Sequence, residues 1–299
     1  MVYCGLIEMF ISFFRKQKII KSNTIGIICY IPQGTKKFHD WFDGFTSAVD
    51  ILIENYGIDV KYINISVDKP SLDTLNSFSF LIVKSNWGWY PDIFIRKFGK
   101  KLKVPCGLMI SGSLPPPNVK SMMFYRVLWY ETNWYRKFIH NHGNCIHAFG
   151  VNIDVARKHY GIDKCYDWIS VGMLVPHKNH FKIIDKPGKK VVVGETVNGI
   201  SGEIENRLIE NKVDVLKFMN YSDYILLLNK CKNIIVACDI HGGGERAILE
   251  SRACGVNVVL DSENEKLVEL LTCDIYSHYY YSEQLFKGIA EHIKFMDIL

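Results

Sequence analysis

Asp239-Ile-His-Gly-Gly-Gly-Glu-Arg-Ala-Ile-Leu-Glu-Ser-Arg-Ala-Cys-Gly-Val-Asn-Val-Val-Leu260 decides the fold. The stretch reads as a glycine loop, a helix carrying Glu250, a glycine stop at Gly255 and a buried apolar strand. The apolar run from Asn233 to Cys238 reads as another strand just upstream. Strand, glycine loop, helix and strand in that order make a βαβ unit. Its loop lies at the carboxyl end of the sheet, where open α/β folds bind ligands. Three successive glycines, Gly242, Gly243 and Gly244, set backbone N–H groups at a helix N-terminus, a seat for an anion such as phosphate. These residues alone point to a nucleotide-type ligand.

Outward from this unit, strand signals alternate with helical ones almost throughout. Strands are expected at residues 24–31, 59–65, 78–83, 104–110, 144–149, 190–193, 213–218, 233–238 and 256–260. Helices are expected at 37–56, 91–100, 122–141, 153–160, 202–211, 223–231, 244–254 and 263–271, with a last one from Ser282 to about Met296. Such alternation implies parallel sheets, and the strands are apolar without alternation, as sheets covered on both faces require. The segment Val171-Gly-Met-Leu-Val-Pro-His-Lys-Asn-His-Phe-Lys-Ile-Ile-Asp-Lys-Pro-Gly188 holds two prolines and no clear periodicity, so it reads as a linker. The expected architecture is α/β: a Rossmann-like domain over 1–170, a linker over 171–188 and a second Rossmann-like domain over 189–281. Residues 282–299 form a helix packing back toward the first domain, and the parallel sheets face each other across a cleft.

With 299 residues and 48% apolar content the chain suits two domains, each with its own core. A net charge of +5 is modest, and no basic stripe carries a nucleic-acid motif, so nucleic acid is not an expected partner. Nine cysteines, an odd count without Cys-x-x-Cys, fall mostly in apolar strand-like runs and read as reduced thiols of a cytoplasmic protein. Residues 1–14 are apolar except for Glu8 and lead into Arg15-Lys16-Gln17-Lys18. That is too short to span a bilayer, and the charge lies on the wrong side for a signal peptide. A packing helix or a membrane-surface helix over residues 1–20 are the two readings.

At Glu250-Ser-Arg-Ala-Cys-Gly-Val-Asn-Val-Val259 the sequence resembles the donor-side domain of GT-B glycosyltransferases. The likeness is to the large retaining family that includes sucrose synthase-like and bacterial polysaccharide enzymes. Val215-Leu-Lys-Phe-Met-Asn-Tyr-Ser-Asp-Tyr-Ile-Leu-Leu-Leu-Asn-Lys230 resembles the family's strand, loop and helix that hold the nucleotide base, placing Phe218 and Asn220 at the donor. The resemblance covers about residues 188 to 275. It implies that Glu250 accepts hydrogen bonds from the donor ribose hydroxyls, a role suited to a carboxylate. The competing reading is a salt bridge from Glu250 to Arg246 one turn earlier.

Two departures from the family stand out. Its second glutamate, eight positions before the helix one, is Gly242 here. Glu245 could substitute, or simply favour the helix N-terminus by its charge. The family's arginine and lysine after the first donor-domain strand have no counterpart in Gly194-Glu-Thr-Val-Asn-Gly-Ile-Ser-Gly202. Val171 to Lys178 looks like that segment, yet too few residues follow it for a helix before Val191. Phosphate binding then falls to Gly242, Gly243, Gly244 and Arg246, with Thr196 or Ser201.

In the first half, the loop and helix after the first strand line the acceptor side in such proteins. His39, Asp40 and Asp43 therefore sit where a general base is wanted, and His39 and Asp43 are spaced to share a helical face. Ordinary capping acids are the alternative. Ser111-Gly-Ser-Leu-Pro-Pro-Pro117 could floor the cleft, and the aromatics of 86–90 and 124–135 could stack on sugars or fill the core. No Asp-x-Asp motif or histidine–acid spacing suggests a metal, and no cofactor is expected beyond the donor itself. The reading is a metal-independent glycosyltransferase that moves a sugar from a nucleotide-sugar donor to a carbohydrate or glycolipid hydroxyl, with retention of configuration implied by the resemblance. A catalytically inactive relative that binds a nucleotide sugar is the first alternative, and a nucleotide-sugar epimerase the second.

Overall fold

The computed structural model describes residues 24–29, 43–65, 67–85, 90–110, 119–196 and 202–293. Among the described residues eleven strands form two sheets, every pairing parallel. The first sheet contains β1 (Thr24–Cys29), β2 (Asp59–Asn64), β3 (Phe80–Ser85), β4 (Cys106–Ile110), β5 (Val127–Tyr130) and β6 (Cys145–His147), in the order β2-β1-β3-β4-β5-β6. The second contains β7 (Tyr166–Val171), β8 (Lys190–Val193), β9 (Asp214–Leu216), β10 (Cys231–Val236) and β11 (Asn257–Leu260), in the order β11-β10-β7-β8-β9. The longer helices are α1 (Gly44–Tyr56), α2 (Tyr90–Phe98), α3 (Glu203–Glu210), α4 (Tyr221–Asn229), α5 (Glu245–Ala253) and α6 (His278–Ala290).

Burial on both faces explains the unbroken apolar runs. In β1, Ile25 and Ile27 enter one core and Ile28 the opposite one, all fully buried. In the second sheet Ile234 and Val236 face one core while Ile235 and Ala237 face the other. Strand order then fixes where ligands can bind. It reverses between β1 and β3 in the first sheet and between β7 and β10 in the second. At such switch points the loops leave in opposite directions and open a crevice at the carboxyl ends.

Three expectations are corrected. Residues 122–141 are not one helix: Val127–Tyr130 is a strand between β4 and β6, followed by short helical turns at Asn133–Tyr135 and Arg136–Ile139. Its aromatics Tyr125, Trp129, Tyr130 and Tyr135 are buried core and not a sugar platform. Residues 153–160 form turns, because the Asn152 side chain accepts from the N–H groups of Asp154 and Val155 and closes the chain locally. The linker reading fails for 171–188. Tyr166–Val171 is the central strand of the second sheet, and 171–188 is its crossover to β8. That crossover uses two short 3-10 turns, Pro176–Lys178 and His180–Ile183, where a helix would be usual.

The last helix crosses back to the first sheet. Ser277 caps it, Trp129 Nε1 donates to Gln284 O at 3.0 Å, and Phe286 stacks on Tyr56 of α1 with ring centroids 3.8 Å apart. Gly288 permits that approach, since a Cβ there would fall 2.5 Å from Trp129 Cζ2. No described helix is long and apolar enough to cross a membrane. Residues 1–20, His39, Asp40, the 86–89 and 111–117 segments and Ser201 lie outside the described residues.

Candidate active site

The second sheet's switch point gathers the loops after β7 and β10. Asp239 N donates to His177 O at 3.0 Å and Asn179 Nδ2 to Ala237 O at 3.1 Å, so the two loops are tied together. Asn264 Nδ2 donates to Asp239 O at 2.8 Å and fixes the glycine loop from the far side. Of the three glycines, Gly242 spends its N–H on Asp239 O, leaving Gly243 and Gly244 as the amides without a partner among the described residues. Gly244 has φ +144°, a backbone that L side chains rarely adopt, and it precedes α5 directly. A Cβ on Gly242 would lie 2.7 Å from Cys238 Cβ. The position of the family's missing glutamate is thus closed by local packing.

The basic residue expected to be absent is present. Lys178 ends the turn after β7, with Nζ 3.6 Å from where a Gly243 Cβ would stand. Its ammonium makes no hydrogen bond or ion pair among the described residues. Burial pulls it below the ordinary lysine range, while the neighbouring Cys238 thiol and Glu245 carboxylate resist that pull.

Helix α5 presents Glu245, Arg246 and Glu250, with both glutamates buried. Glu245 pairs with Lys266, Nζ–Oε1 at 3.3 Å, while its Oε2 lies 3.4 Å from where a Gly243 Cβ would stand, on the same side as Lys178 Nζ. Arg246 reaches the opposite domain, where its Nη1 pairs with Asp43 Oδ2. Its partner is therefore Asp43 and not Glu250. Glu250 lies beneath Tyr221 and Tyr224, whose buried hydroxyls find no partner of full hydrogen-bond geometry. Burial drives the Glu250 carboxyl up to about 7, against the lowering field of Arg246.

Asp43 is the N-cap of α1, in extended backbone just before the helix. Its Oδ1 accepts from the N–H groups of Phe45 and Thr46, both at 3.0 Å. Burial would raise its carboxyl, but Arg246, Lys84 and those two amides hold it below the usual range. Lys84 at the end of β3 stands 4.2 Å from the Phe45 ring centre, and Glu131 follows β5 directly. Burial and the charge of Glu245 push Glu131 up to about 8. Both sheets thus send ionisable groups from their carboxyl ends into one buried array.

The remaining expected residues stand at the margin. Thr196 Oγ1 donates to Glu205 Oε2 at 3.4 Å. Phe218 packs half-buried on the second core. Asn220 is the exposed N-cap of α4, accepting from Asp223 N at 2.9 Å. Lys178, Tyr221, Tyr224, Lys84 and Glu131 were not singled out from sequence. Lys178 lay in the segment Val171 to Lys178, Tyr221 and Tyr224 in the base-binding resemblance of Val215 to Lys230, and Glu131 in the aromatic run 124–135.

No known family model and no curated protein matches the chain by sequence. In three dimensions it is similar to Anabaena HepE, solved in complex with UDP and glucose. The TM-score is 0.58 with 13% identity, over 90% of this chain and 95% of that one. AviGT4, a glycosyltransferase involved in avilamycin A biosynthesis, gives 0.58 at 10% identity over 90% and 97%. Sucrose-phosphate synthase from Thermosynechococcus elongatus gives 0.56 at 10% over 90% of both chains. At these identities the likeness is one of architecture: two parallel sheets in the GT-B arrangement of glycosyltransferases.

Proposed function

We propose that the chain transfers a sugar from a nucleotide-sugar donor to an acceptor hydroxyl. The observation that carries this reading is the convergence at the second sheet's switch point. Two glycine amides and the Lys178 ammonium, none with a partner among the described residues, meet Arg246 there, one helix turn from the Glu250 carboxylate. Amides at a helix N-terminus and two cations suit a diphosphate, and a buried carboxylate facing O–H groups suits a ribose. As the sugar–phosphate bond breaks, negative charge develops on the leaving diphosphate where these donors already stand. UDP and UDP-glucose complexes of HepE support a donor of this class. Retention of configuration and a carbohydrate or glycolipid acceptor extend the same reading.

The test is nucleotide release from a panel of nucleotide sugars. Release with at least one donor, falling about a hundredfold or more in Lys178→Ala, is expected for loss of a charged transition-state contact. No release from any donor, together with nucleotide binding unchanged in Glu250→Ala, sinks the reading. A second reading, a non-catalytic nucleotide-sugar binder, draws on the closed packing at Gly242, which leaves no acid there. Binding without release is its outcome.

A further inference from the structure

A cavity of about 390 Å³ lies between α1 and the start of α4. Ser47, Asp50, Ile51 and Glu54 line it from α1 and share one face through their spacing of three, four and seven. Tyr221, Val155 and His278 close it from the other side. Asn220 also lines it and Tyr221 stands beside Glu250, so this cavity adjoins the base and ribose side of the donor site, while Gly243, Gly244 and Lys178 are not in its lining.

The cavity's charged groups are both carboxylates, Asp50 and Glu54, set among the hydroxyls and amides of Ser47, Asn152, Asn220, Tyr221 and Ser222. Asp50 and Glu54 are exposed carboxylates one turn apart, and neither makes an ion pair among the described residues. Burial and the like charge of Glu54 push the Asp50 carboxyl up, as befits two acids lacking a counter-charge. His278 is 3% exposed, with Nε2 3.4 Å from Asp154 Oδ2 and Nδ1 without a hydrogen-bond partner. Among the described residues no three His, Cys, Asp or Glu side chains are grouped to hold a metal ion. Ile51, Val155 and the Tyr221 ring add an apolar wall.

We propose that this cavity binds a ligand through a protonated primary amine, as in an amino sugar or an aliphatic diamine, with Asp50 and Glu54 as the counter-charges. The proposal needs the cavity and its acids only, and it stands independently of the transfer reaction.

Calorimetric titration of the full chain with methyl glucosaminide, its N-acetyl derivative, methyl glucoside and 1,4-diaminobutane tests it. At least one of the two amines is expected to bind about tenfold more tightly than the N-acetyl and neutral probes, the scale of two partly exposed charge contacts. Whichever amine binds identifies its source as amino sugar or diamine. Asp50→Asn/Glu54→Gln is expected to abolish that preference while leaving nucleoside diphosphate affinity in place. Equal binding of amine and N-acetyl probes, no binding of either amine, or an amine preference surviving in the double variant overturns the proposal. The probe comparison on the unaltered chain stands even if the double variant is unstable.

Discussion

Glu250→Gln isolates the cost of keeping a carboxylate ready for a ligand. The folded protein holds this carboxyl at about 7, against an ordinary 4.5, chiefly by burial. A raised folded value means that the native state binds the proton more tightly than the unfolded chain does. The stability this confers is complete below the ordinary value and is lost as pH rises to about 7. At about 1.4 kcal/mol per tenfold, wild type has given up roughly 1 kcal/mol by pH 5.5 and roughly 3 kcal/mol by pH 8. Glutamine keeps the shape of the neutral acid and does not titrate. Urea unfolding of both proteins at the two pH values is the assay. The stability of the variant relative to wild type should rise by about 2 kcal/mol from pH 5.5 to pH 8. The same change should weaken nucleotide binding, because the amide has one acceptor where the carboxylate has two. A stability difference that does not vary with pH, or that falls as pH rises, would refute the reasoning.

Three further outcomes follow from neighbouring contacts. Asp43→Asn keeps a capping acceptor but loses the charge facing Arg246, whose side chain is 43% exposed, so the cost should be about 1 kcal/mol. Asp43→Ala loses the cap as well and should cost about 1 kcal/mol more by urea unfolding; equal losses would show that only one of the two contacts matters. Gly242→Ala drives a Cβ against Cys238 and should lower stability by about 1 to 3 kcal/mol in thermal unfolding, and Gly242→Glu should not raise nucleotide release. A gain in release with Gly242→Glu would show the loop has room for the acid. Lys178→Ala should weaken nucleoside diphosphate binding about tenfold to a hundredfold by calorimetry, and unchanged affinity would remove Lys178 from the phosphate site.

The parts of the fold that could be read from sequence are those where one local signal dominates. Gly244, the apolar stripe of α5 and the run Val256 to Leu260 each announce their own element, and the observed helix and strand follow them closely. Val127 to Tyr130 did not, because four apolar residues beside aromatics fit a strand or a buried helix equally well. Val171 to Gly188 was misread for a different reason. Its crossover is made by 3-10 turns, so the helical period that marks a βαβ unit is missing, and Lys178 was set aside with it. The pairing of Asp43 with Arg246 joins residues 203 positions apart and has no local trace at all. Glu131 and Lys84 likewise become noteworthy only when strand order brings the ends of β3 and β5 to face α5.

The most direct measurement of the central claim is a crystal structure with a bound nucleoside diphosphate. The account predicts the phosphates within hydrogen-bond reach of the Gly243 and Gly244 amides and Lys178 Nζ, with the ribose hydroxyls on Glu250. A diphosphate seated away from that loop, with Lys178 and Glu250 untouched, would contradict it.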